Sequence, residues 1–284
     1  MIAKIVHKIY WDFTNRAVQM KPKWKSYEEK MFQLYPSSSG YEYITWDKTM
    51  VHDLAKDILS PEQFKVFLII PPIMQVDFAR YAILFTHGGI YYDQDIMHER
   101  TIDSLITNEN IKMLLFVEGL VAKHDMLYLG NAAMACQKGH PLMGTLLRKS
   151  IDKLTGWKDK SEWNDYDVLY GFGPHFLSHS IKSMYDVKKR TVSQIPMELI
   201  QLMYHANADE QVCQRVEEIT KYDNGDGVYF LPPQTMLGCE EEHKGAFFGS
   251  HRTHGSWKSK FAVDKPDNEV ISTSAASDTT SLDL

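Results

Sequence analysis

The residues best suited to chemistry in this chain are Asp93 and Asp95, separated by Gln94. Two carboxylates one residue apart, where a strand ends and the backbone turns, can face one pocket and offer hard oxygen donors to Mg²⁺ or Mn²⁺. An ion bridging them to a diphosphate would stabilise a departing phosphate as a Lewis acid. On spacing alone the same pair also reads as a solvated turn, because Asp is common in turns. A second charged pair, Asp77 and Arg80, lies three residues apart in a segment that is otherwise apolar, so both fall on one face of a helix. Either they form an intrahelical ion pair that holds the core, or Arg80 reaches a phosphate and Asp77 a sugar or ribose hydroxyl. Near the end of the chain His251 and His254 precede Ser256 and Trp257. A neutral imidazole there is a good third ligand for Mn²⁺.

The elements around these residues alternate. Residues 5–11 mix β-branched and aromatic types and predict a first strand, and a helix is expected to follow from Ser26, with Glu28 and Glu29 in its first turn. A turn at 36–40 leads to a second strand at 41–46 and a helix at 48–58. After Pro71-Pro72, residues 73–87 are apolar on both sides of a helical wheel, which is the signature of a buried helix. Gly88-Gly89 can close it in a left-handed cap. Residues 90–92 then form a short interior strand whose C-terminal end carries Asp93-Gln94-Asp95, the edge at which open α/β sheets bind ligands. Further strands are expected at 112–117 and 126–135, and helices at 141–154 and 174–185, the last after the turn 171–174. No internal repeat is present. The alternation predicts an α/β layer fold.

Composition excludes several classes. The chain has 284 residues, 44% hydrophobic and 24% charged, which suits one large globular unit and excludes a coiled coil or a collagen-like repeat. With 31 basic against 37 acidic residues and a net charge of -6, no basic tract marks a nucleic-acid partner. The longest apolar stretch, 64–74, is interrupted by Lys65 and two prolines and is well short of the ~20 residues that span a bilayer. No secretory signal pattern opens the chain. Cys136, Cys213 and Cys239 are widely spaced, which fits a reducing compartment and argues against a disulfide framework or a structural zinc. Glu240-Glu241-Glu242 reads as a solvated loop run, and His140 before Pro141 as a helix start. His175 and His179 lack the Glu of a zinc HExxH helix. From Val263 the composition turns to Ser, Thr, Ala and Asp, giving an expected division into a domain at 1–262 and a disordered or loosely packed tail at 263–284.

Asp77-Phe-Ala-Arg80 followed by Gly88-Gly89-Ile90-Tyr91-Tyr92-Asp93-Gln94-Asp95 resembles the DxxR…GGxYxDxD block of the DxD-containing, sugar-binding-region glycosyltransferases of family 32. Three further segments resemble that family in the same order: residues 5–10 its first-strand IIHQIW, Asn131 with Gly139-His140-Pro141 its N…GHP, and His251 through Ser256-Trp257 its HxxxxSW. The resemblance implies a GT-A type Rossmann-like nucleotide-sugar fold, with a central mixed sheet flanked by helices. It implies metal held by Asp95, Asp93 and His251, donor contacts from Tyr10, Asp77, Arg80, Asp93, Ser256 and Trp257, and Asn131 near the donor sugar or reacting face. Tyr10 stands where the family usually has Trp, a ring suited to stacking on the base, and Trp11 is an alternative for that role. Gly173-Pro174 loosely resembles a turn that shapes the acceptor side.

The implied activity is metal-dependent transfer of a hexose from a UDP- or GDP-sugar to the hydroxyl of a glycan, glycolipid or glycoprotein, with Mn²⁺ or Mg²⁺ as cofactor and with retention of anomeric configuration. Two alternatives are open. A buried strand ending in DxD is also the nucleophile motif of haloacid-dehalogenase type phosphotransferases, although Met97 stands where that motif wants Thr or Val. The chain could also be a non-catalytic nucleotide-sugar-binding protein that kept the pocket. With no anchor or leader read from the sequence, a cytoplasmic enzyme of bacterial or viral origin is expected.

Overall fold

The computed structural model describes residues 1–11, 22–121, 126–186, 227–231, 236–238 and 249–251. Strands β1 (Ile5–Ile9), β2 (Glu42–Trp46) and β3 (Gly89–Tyr92) run parallel, with β1 in the middle. β6 (Met126–Cys136) is antiparallel both to β3 and to β5 (Met113–Val121), and β7 (Val228–Leu231) closes the far edge parallel to β5. The resulting sheet has six strands in the order β2-β1-β3-β6-β5-β7. A smaller sheet, β4-β9-β8, is built from Ile96–His98, Gly249–His251 and Met236–Gly238. The central mixed sheet flanked by helices that the resemblance implied is therefore present.

Two apolar layers sandwich the main sheet. On one face α4 (Pro72–His87), α6 (Pro141–Gly156) and α8 (Pro174–Asp186) pack with Phe78, Ile83, Leu146, Leu177 and the sheet residues Tyr91, Leu115 and Met134. On the other, α1 (Pro22–Leu34) contributes Met31, which packs with Ile90, Tyr92, Leu114 and Ile106. Every residue of α4 from Met74 to Leu84 is buried, as its apolar circumference requires.

Several boundaries differ from the sequence reading for identifiable reasons. α1 begins at Pro22, not Ser26, so Glu28 and Glu29 lie beyond its first turn, and the Ser26 hydroxyl instead donates to the Lys23 carbonyl at 2.8 Å. The 64–74 stretch contains a helix, α3 (Pro61–Ile69), started by a reciprocal capping box between Ser60 and Gln63. The glycines after α4 do not form a left-handed cap. Gly88 adopts φ 71° and ψ -162°, a region essentially restricted to glycine, while its N–H still closes the helix on the Leu84 carbonyl. A Cβ on Gly88 would lie 2.6 Å from the Lys138 nitrogen, and one on Gly89 2.5 Å from the Ile5 carbonyl oxygen. The chain thus leaves a buried helix and enters an interior strand in two residues because neither has a side chain.

His7 fixes this junction. Its Nδ1 accepts from the indole N–H of Trp46 at 3.1 Å, so Nε2 carries the proton and donates to the Gly88 carbonyl at 2.9 Å. Burial drives the imidazole pKa down to about 4, as expected for a neutral ring whose second nitrogen already faces a donor.

Candidate functional site

Asp93 leaves β3 at the C-terminal edge shared with β1. Its backbone N–H donates to Ala132 of β6 at 2.8 Å, and its own carbonyl accepts from Ile96 N–H at 3.2 Å, so Asp93 to Ile96 forms a tight turn. The site is assembled around a buried cation beneath this turn. Arg80 of α4 places Nη1 3.0 Å from Asp77 Oδ1 and Nη2 3.1 Å from Asp93 Oδ1, with both Arg80 and Asp77 side chains only 5% exposed. Asn131 completes the ring: its side-chain amide donates to Asp77 Oδ1 at 2.9 Å, and its backbone carbonyl accepts from Arg80 Nη1 at 3.1 Å.

Asn131 is available because β6 changes register there. Leu115 pairs with Met134 but Phe116 pairs with Gly130, so residues 131–133 bow away from β5 while Ala133 stays paired with β3. Such a bulge re-aims a side chain. Tyr91 adds a hydroxyl donor to Asp93 Oδ1 at 2.6 Å, and its ring lies 5.3 Å from the guanidinium carbon, within cation–π range.

The electrostatics follow from burial. Desolvation works against the charge of Arg80, but Asp93, Tyr91 and Asp77 together hold its pKa above the ordinary guanidinium value. Asp77 is pushed up to about 6 by burial, with Arg80 and the Asn131 hydrogen bond pulling it back down. Arg80 is thus a fixed cation whose stronger electrostatic partner is Asp93. Arg80 Nε is buried and has no hydrogen-bond partner among the described residues.

Of the alternatives for Asp77 and Arg80, the structure shows the ion pair. The same guanidinium reaches the first acid of the DxD turn. Asp95 is buried at the same edge. Tyr10 follows β1 at that edge, its N–H bonded to the Trp46 carbonyl at 2.9 Å and its ring edge-on to Trp24 at 6.4 Å. For His251 the backbone gives the placement: β9 runs antiparallel to β4 and sets His251 opposite Ile96, the residue directly after Asp95. Ser256, Trp257, His254, Glu240-Glu241-Glu242, Cys213, Cys239 and the 263–284 tail lie outside the described residues. His140 is the N-cap of α6, accepting from Leu142 N–H at 3.2 Å.

Asp93 and Asp95 supply oxygen donors suited to Mn²⁺ or Mg²⁺. Arg80 and Tyr91 both engage Asp93 Oδ1. Among the described residues no group of three or more His, Cys, Asp or Glu stands ready to hold an ion, so a complete ligand set would need a further donor, of which the His251 position is the nearest in register.

Sequence reasoning missed Lys8. It lies in β1, only 2% exposed, with its ammonium 3.4 Å from Gln94 Oε1 at the middle of the DxD turn. Burial lowers its pKa to about 8, and Glu28, Asp93 and Asp95 oppose that fall, so at neutral pH the ammonium form dominates. A lysine inside the run Ile-Val-His-Lys-Ile was the available signal.

The site is thus a buried interior strand that delivers an Asp-Gln-Asp turn onto a ring of Arg80, Asp77 and Asn131, the residues that carry the DxD resemblance. In agreement, residues 21–112 match the glycosyltransferase sugar-binding region containing DXD motif. The chain is 28% identical over 62% of its length to inositol phosphoceramide mannosyltransferase 3 of Schizosaccharomyces pombe, covering 44% of that protein. It is 28% identical over 63% of its length to mannosyl phosphorylinositol ceramide synthase SUR1 of Saccharomyces cerevisiae, covering 41%. To the initiation-specific alpha-1,6-mannosyltransferase of Candida albicans it is 26% identical over 70% of its length, covering 57%. The chain thus spans about half the length of these relatives. These three are yeast proteins, and a glycosyltransferase of Acanthamoeba polyphaga mimivirus, 27% identical over 37% of this chain, also matches. Among solved structures, the PaToxG glycosyltransferase aligns with a TM-score of 0.45 at 11% identity, over 72% of this chain and 74% of that one. No helix among the described residues is long and apolar enough to cross a membrane.

Proposed function

We propose that this protein is a glycosyltransferase of GT-A type that moves a hexose from a UDP- or GDP-sugar to an acceptor hydroxyl with retention of configuration, using Mn²⁺ or Mg²⁺ held by Asp95, Asp93 and His251. The observation that carries this reading is the Arg80 bridge between Asp77 and Asp93 at the mouth of an interior strand. It orients the first acid of the DxD turn from below and leaves the turn itself to meet a ligand. The ion, when bound, supplies Lewis-acid neutralisation of the diphosphate.

The chain's own residues do the positioning. Arg80 and Tyr91 fix the rotamer of Asp93, and Arg80 Nε and the Asp77–Asn131 pair offer polar contacts to donor hydroxyls. Tyr10 or Trp11 stacks on the base, and Ser256 and Trp257 close over the phosphates. The acceptor oxygen forms its bond to the anomeric carbon on the face from which the bond to the phosphate oxygen breaks, and that departing oxygen takes the acceptor proton. The acceptor is a glycan, glycolipid or glycoprotein. Mannose is the first sugar to test, because the named relatives are described by mannosyl transfer or mannosyl lipid synthesis.

Calorimetry with UDP and GDP, each with and without Mn²⁺, tests the donor site. One diphosphate should bind in a Mn²⁺-dependent manner, and Asp95→Ala should abolish that binding. Binding indifferent to both metal and Asp95 would sink the reading. Release of the same diphosphate from its hexose conjugate then reports turnover, and an NMR spectrum of the product showing an inverted linkage would refute retention.

A further inference from the structure

Lys8 is the second cation of the site, and none of the donor or metal roles discussed above uses it. In β1 the side chains alternate, so His7 turns toward Trp46 while Lys8 turns to the opposite face of the sheet. On that face lie Tyr92 of β3 and His98 of β4, whose rings meet edge to face at 4.5 Å. Lys8 reaches up from this layer to Gln94 Oε1 at 3.4 Å, and Gln94 is the residue between the two acids. The surroundings are short of partners: Gln94 Nε2 and both ring nitrogens of His98 are buried with no hydrogen-bond partner among the described residues. An ammonium so fully buried costs several kcal/mol unless negative charge compensates it. The compensating charges here are Glu28 of α1 and the two acids of the turn.

We propose that Lys8 is the resident counter-ion of the DxD turn: it holds Asp93 and Asp95 together while no divalent ion is bound and weakens the turn's affinity for such an ion when one arrives. The inference rests on the reading of Asp93 and Asp95 as metal ligands. Two acids one residue apart repel each other, and a buried cation touching the residue between them offsets that repulsion from beneath. The same cation opposes a divalent ion entering from above, because like charges inside a protein interact far more strongly than in water. Tight metal binding then requires the negative charge of the donor diphosphate, so that metal and donor bind together.

The test is titration of the protein with Mn²⁺ alone at neutral pH, followed by calorimetry and by the paramagnetic signal of free Mn²⁺. The proteins compared are the wild type, Lys8→Gln, Lys8→Met, Lys8→Arg and Asp95→Asn. Lys8→Gln keeps a partner for Gln94 and removes the charge, and Lys8→Met keeps the unbranched stem alone. Both should bind Mn²⁺ about tenfold more tightly than the wild type, the order expected for deleting one nearby like charge. Lys8→Arg should stay within about twofold of the wild type, and the enhancement of Mn²⁺ affinity by UDP or GDP should shrink in the two neutral variants. A purely structural lysine would shift the thermal midpoint and leave Mn²⁺ affinity unchanged. Mn²⁺ bound by the wild type through Asp95, with no tightening in either neutral variant, overturns the role of Lys8. Equal binding by the wild type and Asp95→Asn overturns the metal reading itself, and the role of Lys8 with it.

Discussion

Acidification should expose the cost of keeping His7 neutral. In the folded chain Nδ1 is committed to the Trp46 N–H, so a second proton on the ring would set donor against donor. The pKa falls from 6.5 to about 4, a depression of about 2.5 units, or about 3 kcal/mol at 1.36 kcal/mol per unit. The sign follows from linkage: between these values the unfolded chain binds a proton that the folded chain does not. The His7 contribution is therefore fully present above pH 6.5 and is lost as pH falls through about 4. Asp77 works in the opposite direction. Its folded pKa is raised to about 6, so its contribution is present at low pH and is lost as pH rises through that value. His87, with its ring 6.1 Å from His7, is the other titratable ring at this junction, and burial lowers its pKa as well. Because these effects overlap, the clean quantity is the difference in urea unfolding free energy between wild type and His7→Gln. That difference should shrink by about 3 kcal/mol between about pH 7 and about pH 4. A constant difference across that range would show that the buried imidazole is not the acid-sensitive element and would refute the tautomer assigned from its two hydrogen bonds.

Arg80→Met should cost about 3–5 kcal/mol by urea unfolding, since Asp77 and Asp93 would be left without their cation; Arg80→Lys should recover only part of this, because one ammonium cannot reproduce the bidentate fork. Gly88→Ala should lower stability by about 2–4 kcal/mol, through its positive φ and the clash with Lys138, read by calorimetric unfolding. Tyr81→Phe removes the hydroxyl that donates to the Phe172 carbonyl at 2.7 Å and should cost about 1–2 kcal/mol, read as a lowered thermal midpoint.

The elements that position the site were legible in the sequence because their signals are local. An apolar circumference over residues 73–87 and a short hydrophobic run mark a buried helix and an interior strand, whereas the two glycines between them suggest a left-handed cap and instead make the abrupt junction at Gly88. The pairing of Asp77 with Arg80 followed from helical spacing, but the reach of Arg80 to Asp93 did not, since that distance depends on how tightly Gly88-Gly89 folds the strand back. Asn131 could be named from the motif it resembles, whereas the bulge that turns it toward Asp77 arises from strand register, which no single segment encodes. Lys8 was overlooked because a buried charge is explained only by its neighbours, and these come from α1 and from the turn after β3. The apolar run at 64–74 does not by itself reveal α3, whose start is carried by the polar pair Ser60 and Gln63.

The pairing of β9 with β4 bears on the order in which the molecule is made. His251 meets Ile96 across roughly 150 residues of chain, and closing a loop of that length carries an entropic cost that local strand pairs such as β5 with β6 do not face. The strands β1, β2, β3, β5 and β6, with the Arg80 ring between them, all lie within residues 5–136 and can assemble before β7 and β9 emerge during synthesis. Pairing of β9 with β4 then sets the last strand beside the DxD turn, so this small sheet forms late in maturation.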